Sequence, residues 1–115
     1  MKPLLTLLLA AFTASAQTNS VMLSWLPCPS TNAAGTFIYG TMTLSDFSAS
    51  STPTNYVFKY DAGTNMVLVV SNLTYGLWYF TATAYCMGGT NESARDNIAS
   101  WVFLPPPGQL TTRPN

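Results

Sequence analysis

Apolar residues recur in this chain with a period of two. Val21, Leu23 and Trp25 alternate with Met22 and Ser24, and Tyr56, Phe58 and Tyr60 alternate with Val57 and Lys59. Successive side chains of a strand leave the backbone on opposite faces, so this period marks strands half buried in a sheet. Beyond residue 16 no segment carries the 3.6-residue stripe of an amphipathic helix. Pro27 and Pro29 end the first strand because proline cannot donate to a ladder. Gly35–Leu44 reads as an extended stretch interrupted at Gly40, and Ser45–Asn55 as a polar connection. Asp61-Ala62-Gly63-Thr64-Asn65 supplies turn chemistry before Met66–Val70, the run richest in β-formers. Leu77–Cys86 follows the Tyr75-Gly76 turn, Gly88-Gly89-Thr90-Asn91 opens a loop, and Ile98–Leu104 closes the domain. Six or seven short strands with regularly spaced turns predict an all-β sandwich.

The start of the chain points to export. Met1 and Lys2 give a short positive end, Leu4–Ala14 an apolar run, and Ala14-Ser15-Ala16 small residues where a signal peptidase reads. This pattern predicts a signal peptide, residues 1–16, cleaved after Ala16. The run falls short of the roughly 20 residues that span a bilayer, so no membrane insertion is expected after cleavage. Residues 17–105 then make one domain, and Pro105-Pro106-Pro107-Gly108 begins a proline-rich polar tail, residues 106–115. A secreted, periplasmic or cell-surface location follows.

Charge is scarce. After residue 16 only Lys59, Arg95 and Arg113 oppose Asp46, Asp61, Glu92 and Asp96, with no cluster of either sign. Phosphate neutralisation needs a basic face, so nucleic acid is not an expected partner. The chain has no histidine, the commonest general base and metal ligand. Its four acids fall in separate segments, and only Glu92 and Asp96 are near neighbours, reading as a solvated loop rather than a carboxylate pair or a calcium site. Lys59 reads as a solvent-facing edge charge. No catalytic residue, cofactor or metal site is expected, and the chain is read as no enzyme.

Several segments together resemble the fibronectin type III family. Val21-Met22-Leu23-Ser24-Trp25 is similar to that family's second strand, whose tryptophan fills the core. Val70-Ser71-Asn72-Leu73-Thr74-Tyr75-Gly76-Leu77-Trp78-Tyr79-Phe80 resembles its strand E, the following turn and the start of strand F. Thr83-Ala84-Tyr85, then Gly89 and Glu92-Ser93, look like the end of F and its loop, and Asn97–Phe103 like the last strand. The wording is closest to modules of bacterial and phage-associated secreted proteins. The resemblance implies a seven-stranded antiparallel, immunoglobulin-like β-sandwich, with Trp25, Leu73, Trp78 and Tyr79 as its core signature. Tyr75 stands where the family has proline, and either Trp78 or Tyr79 could take the role of its tyrosine corner. Alternation places Trp78, Phe80, Ala82 and Ala84 inward and Tyr79, Thr81, Thr83 and Tyr85 outward, because the opposite phase would bury two hydroxyls. An immunoglobulin domain proper would carry tyrosine two residues before its second cysteine, where this chain has Ala84.

In an exported chain the two cysteines, Cys28 and Cys86, are expected to form a disulfide. The resemblance puts both at one pole, tying the sheets together. Tyr79, Tyr85 and Trp101 form a candidate aromatic surface on the last two strands, suited to stacking on sugars or to a protein interface. Asn72-Leu73-Thr74 and Asn91-Glu92-Ser93 match the glycosylation acceptor but read more simply as turns. The expected function is a non-enzymatic binding or adhesion module for a protein or glycan at the cell exterior. The alternative is a structural accessory, a spacer or assembly subunit of an extracellular or virion-associated complex.

Overall fold

A computed structural model describes the backbone of residues 8–12 and the whole of residues 19–86 and 91–108. The expected cleavage site after Ala16, the Gly88-Gly89 turn and the tail beyond Gly108 lie outside the described residues. The fold is all-β. Strand β1 (Leu8–Phe12) precedes six strands from Asn19 onward: β2 (Asn19–Ser24), β3 (Ala33–Thr41), β4 (Phe58–Gly63), β5 (Val67–Leu73), β6 (Gly76–Cys86) and β7 (Ala99–Phe103). One helical turn, α1 (Ser45–Ser48), interrupts the polar connection. Among the described residues no helix is long and apolar enough to cross a membrane.

Every strand pairing is antiparallel, and the strands form two sheets ordered β1-β2-β5 and β4-β3-β6-β7. The sheets pack face to face around one core. Val21, Leu23 and Trp25 reach it from β2 and its end, Val70 and Leu73 from β5, and Ile38, Trp78, Phe80, Ala82 and Phe103 from the larger sheet. Burying each large side chain contributes about 1.5–3 kcal/mol, so this cluster is the main cohesive force.

The strands depart from the sequence pattern most clearly at Gly40 and after β4. Strand β3 passes through Gly40 without a break, because its bare Cα lets the Phe58 ring lie on the backbone. A Cβ there would stand 2.0 Å from Phe58 Cε2. The turn after β4 starts later than expected, since the strand runs on to Gly63 (φ 59°), whose N–H donates to Asp61 Oδ1 at 2.8 Å.

The corner between β5 and β6 is built from local chemistry. The β2–β5 register slips between Asn19↔Leu73 and Val21↔Val70, leaving an extra residue on β5. Asn72 takes the left-handed conformation there (φ 61°), which asparagine tolerates better than most residues. Gly76 follows at φ 126°. The indole N–H of Trp78 donates to Thr74 O, four residues back, at 3.0 Å. Trp78, not Tyr79, therefore ties the corner.

The inward phase of β6 is as the alternation predicts, with Trp78, Phe80, Ala82 and Ala84 buried. Its other face is not the solvated one that alternation implies. Thr81 and Thr83 are both 0% exposed, because irregular chain covers the middle of the larger sheet from outside. Their hydroxyls are satisfied: Thr81 donates to the carbonyls of Asp96 and Asn97, and Thr83 to Glu92 Oε2 at 2.7 Å. Burial of these threonines was expected to be costly, but hydrogen bonding removes most of that penalty.

Candidate functional site

The outer face of the larger sheet carries most of the chain's polar chemistry. Two segments meet over it. Residues 42–57 bring Phe47, fully buried on α1, against Tyr39 with ring centroids 6.5 Å apart, and Tyr56 packs on Tyr39 at 5.2 Å. From the other side, residues 91–96 run back along β6. Cys86 N donates to Asn91 O, Ser93 N to Ala84 O and Asp96 N to Ala82 O. Arg95 clamps the two segments. Its Nε donates to Phe47 O at 2.7 Å and its backbone N–H to Ser51 O at 2.6 Å.

Glu92 is the centre of this face. It was expected in a solvated loop, yet the Tyr85↔Glu92 bridge folds it onto the sheet. Its carboxylate accepts from the Tyr39 hydroxyl, from Thr83 and, at 3.5 Å, from Lys59 Nζ. Burial, followed by the bond to Glu92, pushes the Tyr39 hydroxyl well above the usual tyrosine range. Lys59 Nζ lies 4.1 Å from the centre of the Phe37 ring and 5.3 Å from that of Tyr39. The lysine is exposed, so its ion pair with Glu92 and its ring contacts each contribute no more than about 1 kcal/mol.

At the end of the same face Tyr85 stacks on Phe37, centroids 4.3 Å apart, and its hydroxyl donates to Asp61 Oδ1 at 2.5 Å. That bond holds the Asp61 carboxyl below its ordinary value and lifts the Tyr85 hydroxyl above its own. Thr41 donates to Asp46. Three of the four acids, Asp46, Asp61 and Glu92, therefore accept structural hydrogen bonds from side chains. Glu92 and Asp96 do not form a carboxylate pair: Glu92 bonds toward β3, while Asp96 lends its backbone to Ala82 and Thr81. Among the described residues no three of histidine, cysteine, aspartate and glutamate gather as metal ligands would.

The candidate aromatic surface divides. Tyr79 and Tyr85 lie half buried on the outer face, with Tyr79 opposite Ser100. Trp101 pairs with Trp78 and packs against the core, so it lies on the other side of the sheet from the tyrosines. Alternation within β7 already groups Trp101 with Ala99 and buried Phe103, opposite Ser100 and Val102.

The cysteines also differ from expectation: both thiols are free, and no bridge joins Cys28 to Cys86. Cys28 sits in irregular chain between Pro27 and Pro29, whose rings restrict the backbone, while Cys86 is fixed at the end of β6 opposite Ala33. They line one cleft of about 260 Å³ with Ser30, Tyr85, Asn91 and Glu92 without bonding. A second cleft of about 140 Å³ opens at the same end beside Trp25 and Met66. Both fall below the ~300 Å³ at which small-molecule pockets begin. Asn72 and Asn91 are exposed, and the φ of Asn72 accords with its reading as a turn residue.

The smaller sheet presents a contrasting surface that the sequence reading missed. Core-facing Leu68 and Val70 alternate with Val67 (50% exposed) and Val69 (52% exposed), and Met66 beside them is 47% exposed. Met22 pairs with Val69 on the same face. The run Met66–Val70 had signalled a strand, and its continuous apolar composition makes the outer face apolar as well, though only the structure shows that face to be exposed. No charge lies within β2 or β5. The chain matches no known protein family, and no curated protein matches it.

Proposed function

We propose that this chain is an exported, non-catalytic recognition module of fibronectin type III type, and that its ligand is a protein surface at the cell exterior. The bare apolar face of the smaller sheet carries the reading. Valine and methionine side chains left uncovered together on an uncharged sheet face fit a protein partner. Trp101 and the two tyrosines lie on opposite sides of their sheet, which weighs against a continuous platform for sugars. The fold assignment draws on three features: the pairing of β2 with β5, the place of β3 between β4 and β6, and the tryptophan corner. The non-catalytic reading draws on the missing histidine and on three of the four carboxylates, Asp46, Asp61 and Glu92, being engaged by structural donors. Export draws on the pattern of residues 1–16.

A photo-crosslinking residue placed at Val69, in protein secreted by its native host, tests this. One defined protein adduct at Val69 and none at Ser48, exposed over the opposite sheet, is the expected result. Sugar binding on a glycan array, lost on Tyr79→Ala or Tyr85→Ala and with no adduct at Val69, would replace the protein partner by a glycan.

A further inference from the structure

Residues 8–12 are claimed by two roles that exclude each other in a processed chain. As β1 they run along β2 through five pairs from Leu8↔Ser24 to Phe12↔Ser20, and they also touch β7 of the opposite sheet. They also lie within the apolar run that identifies the leader. Cleavage after Ala16 leaves only Gln17 and Thr18 ahead of Asn19, the first residue of β2. Two residues reach at most ~7 Å, and the tightest common hairpin needs about two residues for the turn alone. No strand of the processed N-terminus can therefore refill the position, and one edge of β2 is left with unpaired backbone groups beside buried Val21 and Leu23.

We propose that this vacated edge is a binding site for a single extended strand donated by a partner protein, pairing antiparallel with Ser20–Ser24. The inference rests on the export reading above and adds the mode of recognition, strand addition to a sheet edge. The chemistry of the occupant follows from what borders the slot. Neither β2 nor β7 carries a charge, so a charged strand would be desolvated there without compensation. Residues opposite Leu23 and Val21 share their core-facing side, and in the full chain those register positions belong to Leu9 and Ala11. The slot therefore asks for a large apolar residue followed two positions later by a small one, with no proline between them. Because β1 lies against β7 as well as β2, the slot has a second wall. A single strand fits between the two, whereas a second copy of the whole sandwich would meet that wall.

The test uses protein recovered after secretion, with its N-terminus read by mass spectrometry. A synthetic peptide of residues 7–13, carrying a lysine tail for solubility, is titrated into it. The melting temperature is expected to rise with peptide concentration, and alternate amides of Ser20–Ser24 to gain protection from hydrogen exchange. The same peptide with Leu9→Asp should do neither. If the processed chain is unfolded alone, the titration is followed by the fluorescence of Trp25 and Trp78 as they become buried. A cleaved, folded monomer whose β2 amides ignore the peptide would overturn the inference while leaving export intact. A cleaved dimer with those amides already protected would overturn it in favour of a second copy. Retention of residues 1–16 in the secreted protein would overturn cleavage and, with it, the inference.

Discussion

The two sheets of this sandwich are finished in opposite ways on their outer faces. Over the larger sheet, two irregular segments bury Tyr39, Phe47, Thr81 and Thr83, and the polar groups among them find partners. Over the smaller sheet, Val67 and Val69 are half exposed, and among the described residues no segment lies above them. The first surface behaves as a second small core, where apolar contact and satisfied hydrogen bonds reinforce each other. The second has apolar area and no cover, which adds nothing to the stability of the monomer and leaves that area available to a partner. A chain of this size can cover one sheet with its own loops. The shared core holds both sheets, and only the larger one adds a second packed layer on its outer face.

The contrast is broken most directly by Phe47→Ala. Emptying a fully buried aromatic site should cost about 3 kcal/mol, measured as a lower urea midpoint, if residues 42–57 are part of the cooperative structure. A loss below about 0.5 kcal/mol, the size of a surface substitution, would mean that the covering segments are loosely held and that the two faces are alike.

A smaller effect concerns pH. Burial raises the Tyr39 hydroxyl above its ordinary value of 10.0, so the folded state holds this proton more tightly than the unfolded state. The contribution is fully present below pH 10 and is lost as the pH climbs from there toward the folded value, by at most about 1.4 kcal/mol per unit. Wild-type stability should thus fall more steeply above pH 10 than that of Tyr39→Phe, which has no such proton. Parallel curves for the two proteins would show that the hydroxyl is not held in the buried network with Glu92.

The smallest expected change lies on the other sheet. Val69→Thr keeps the β-branched shape and removes exposed apolar surface, so stability should move by less than about 0.5 kcal/mol. A greater loss would show that Val69 is covered after all, and the proposed docking face would lose its basis.

Much of the fold was legible because strand geometry is local. The alternation along Val21–Trp25 and Trp78–Ala84 marked both strands and gave their inward phase correctly, and Asn72 and Gly76 stand at a corner whose chemistry suits them. The candidate site was legible only in part. Tyr79 and Tyr85 do share an outer face, but Trp101 lies on the other, with its neighbours Ala99 and Phe103 and opposite Trp78. Composition gave only a polar connection at residues 45–55, and one residue within it, Phe47, turned out to anchor the cover.

By itself, then, the sequence determined an all-β chain, the inward faces of its strands, its scarcity of charge and its lack of histidine. These follow from residue identity and from a period that any strand must obey. Tertiary structure alone decided that Thr81 and Thr83 are buried, that Glu92 gathers Tyr39, Thr83 and Lys59, and that Cys28 and Cys86 remain apart. Such outcomes depend on contacts between distant parts of the chain, as from β3 to the segment after β6. No local pattern encodes a contact whose two halves meet only once the sheets have closed.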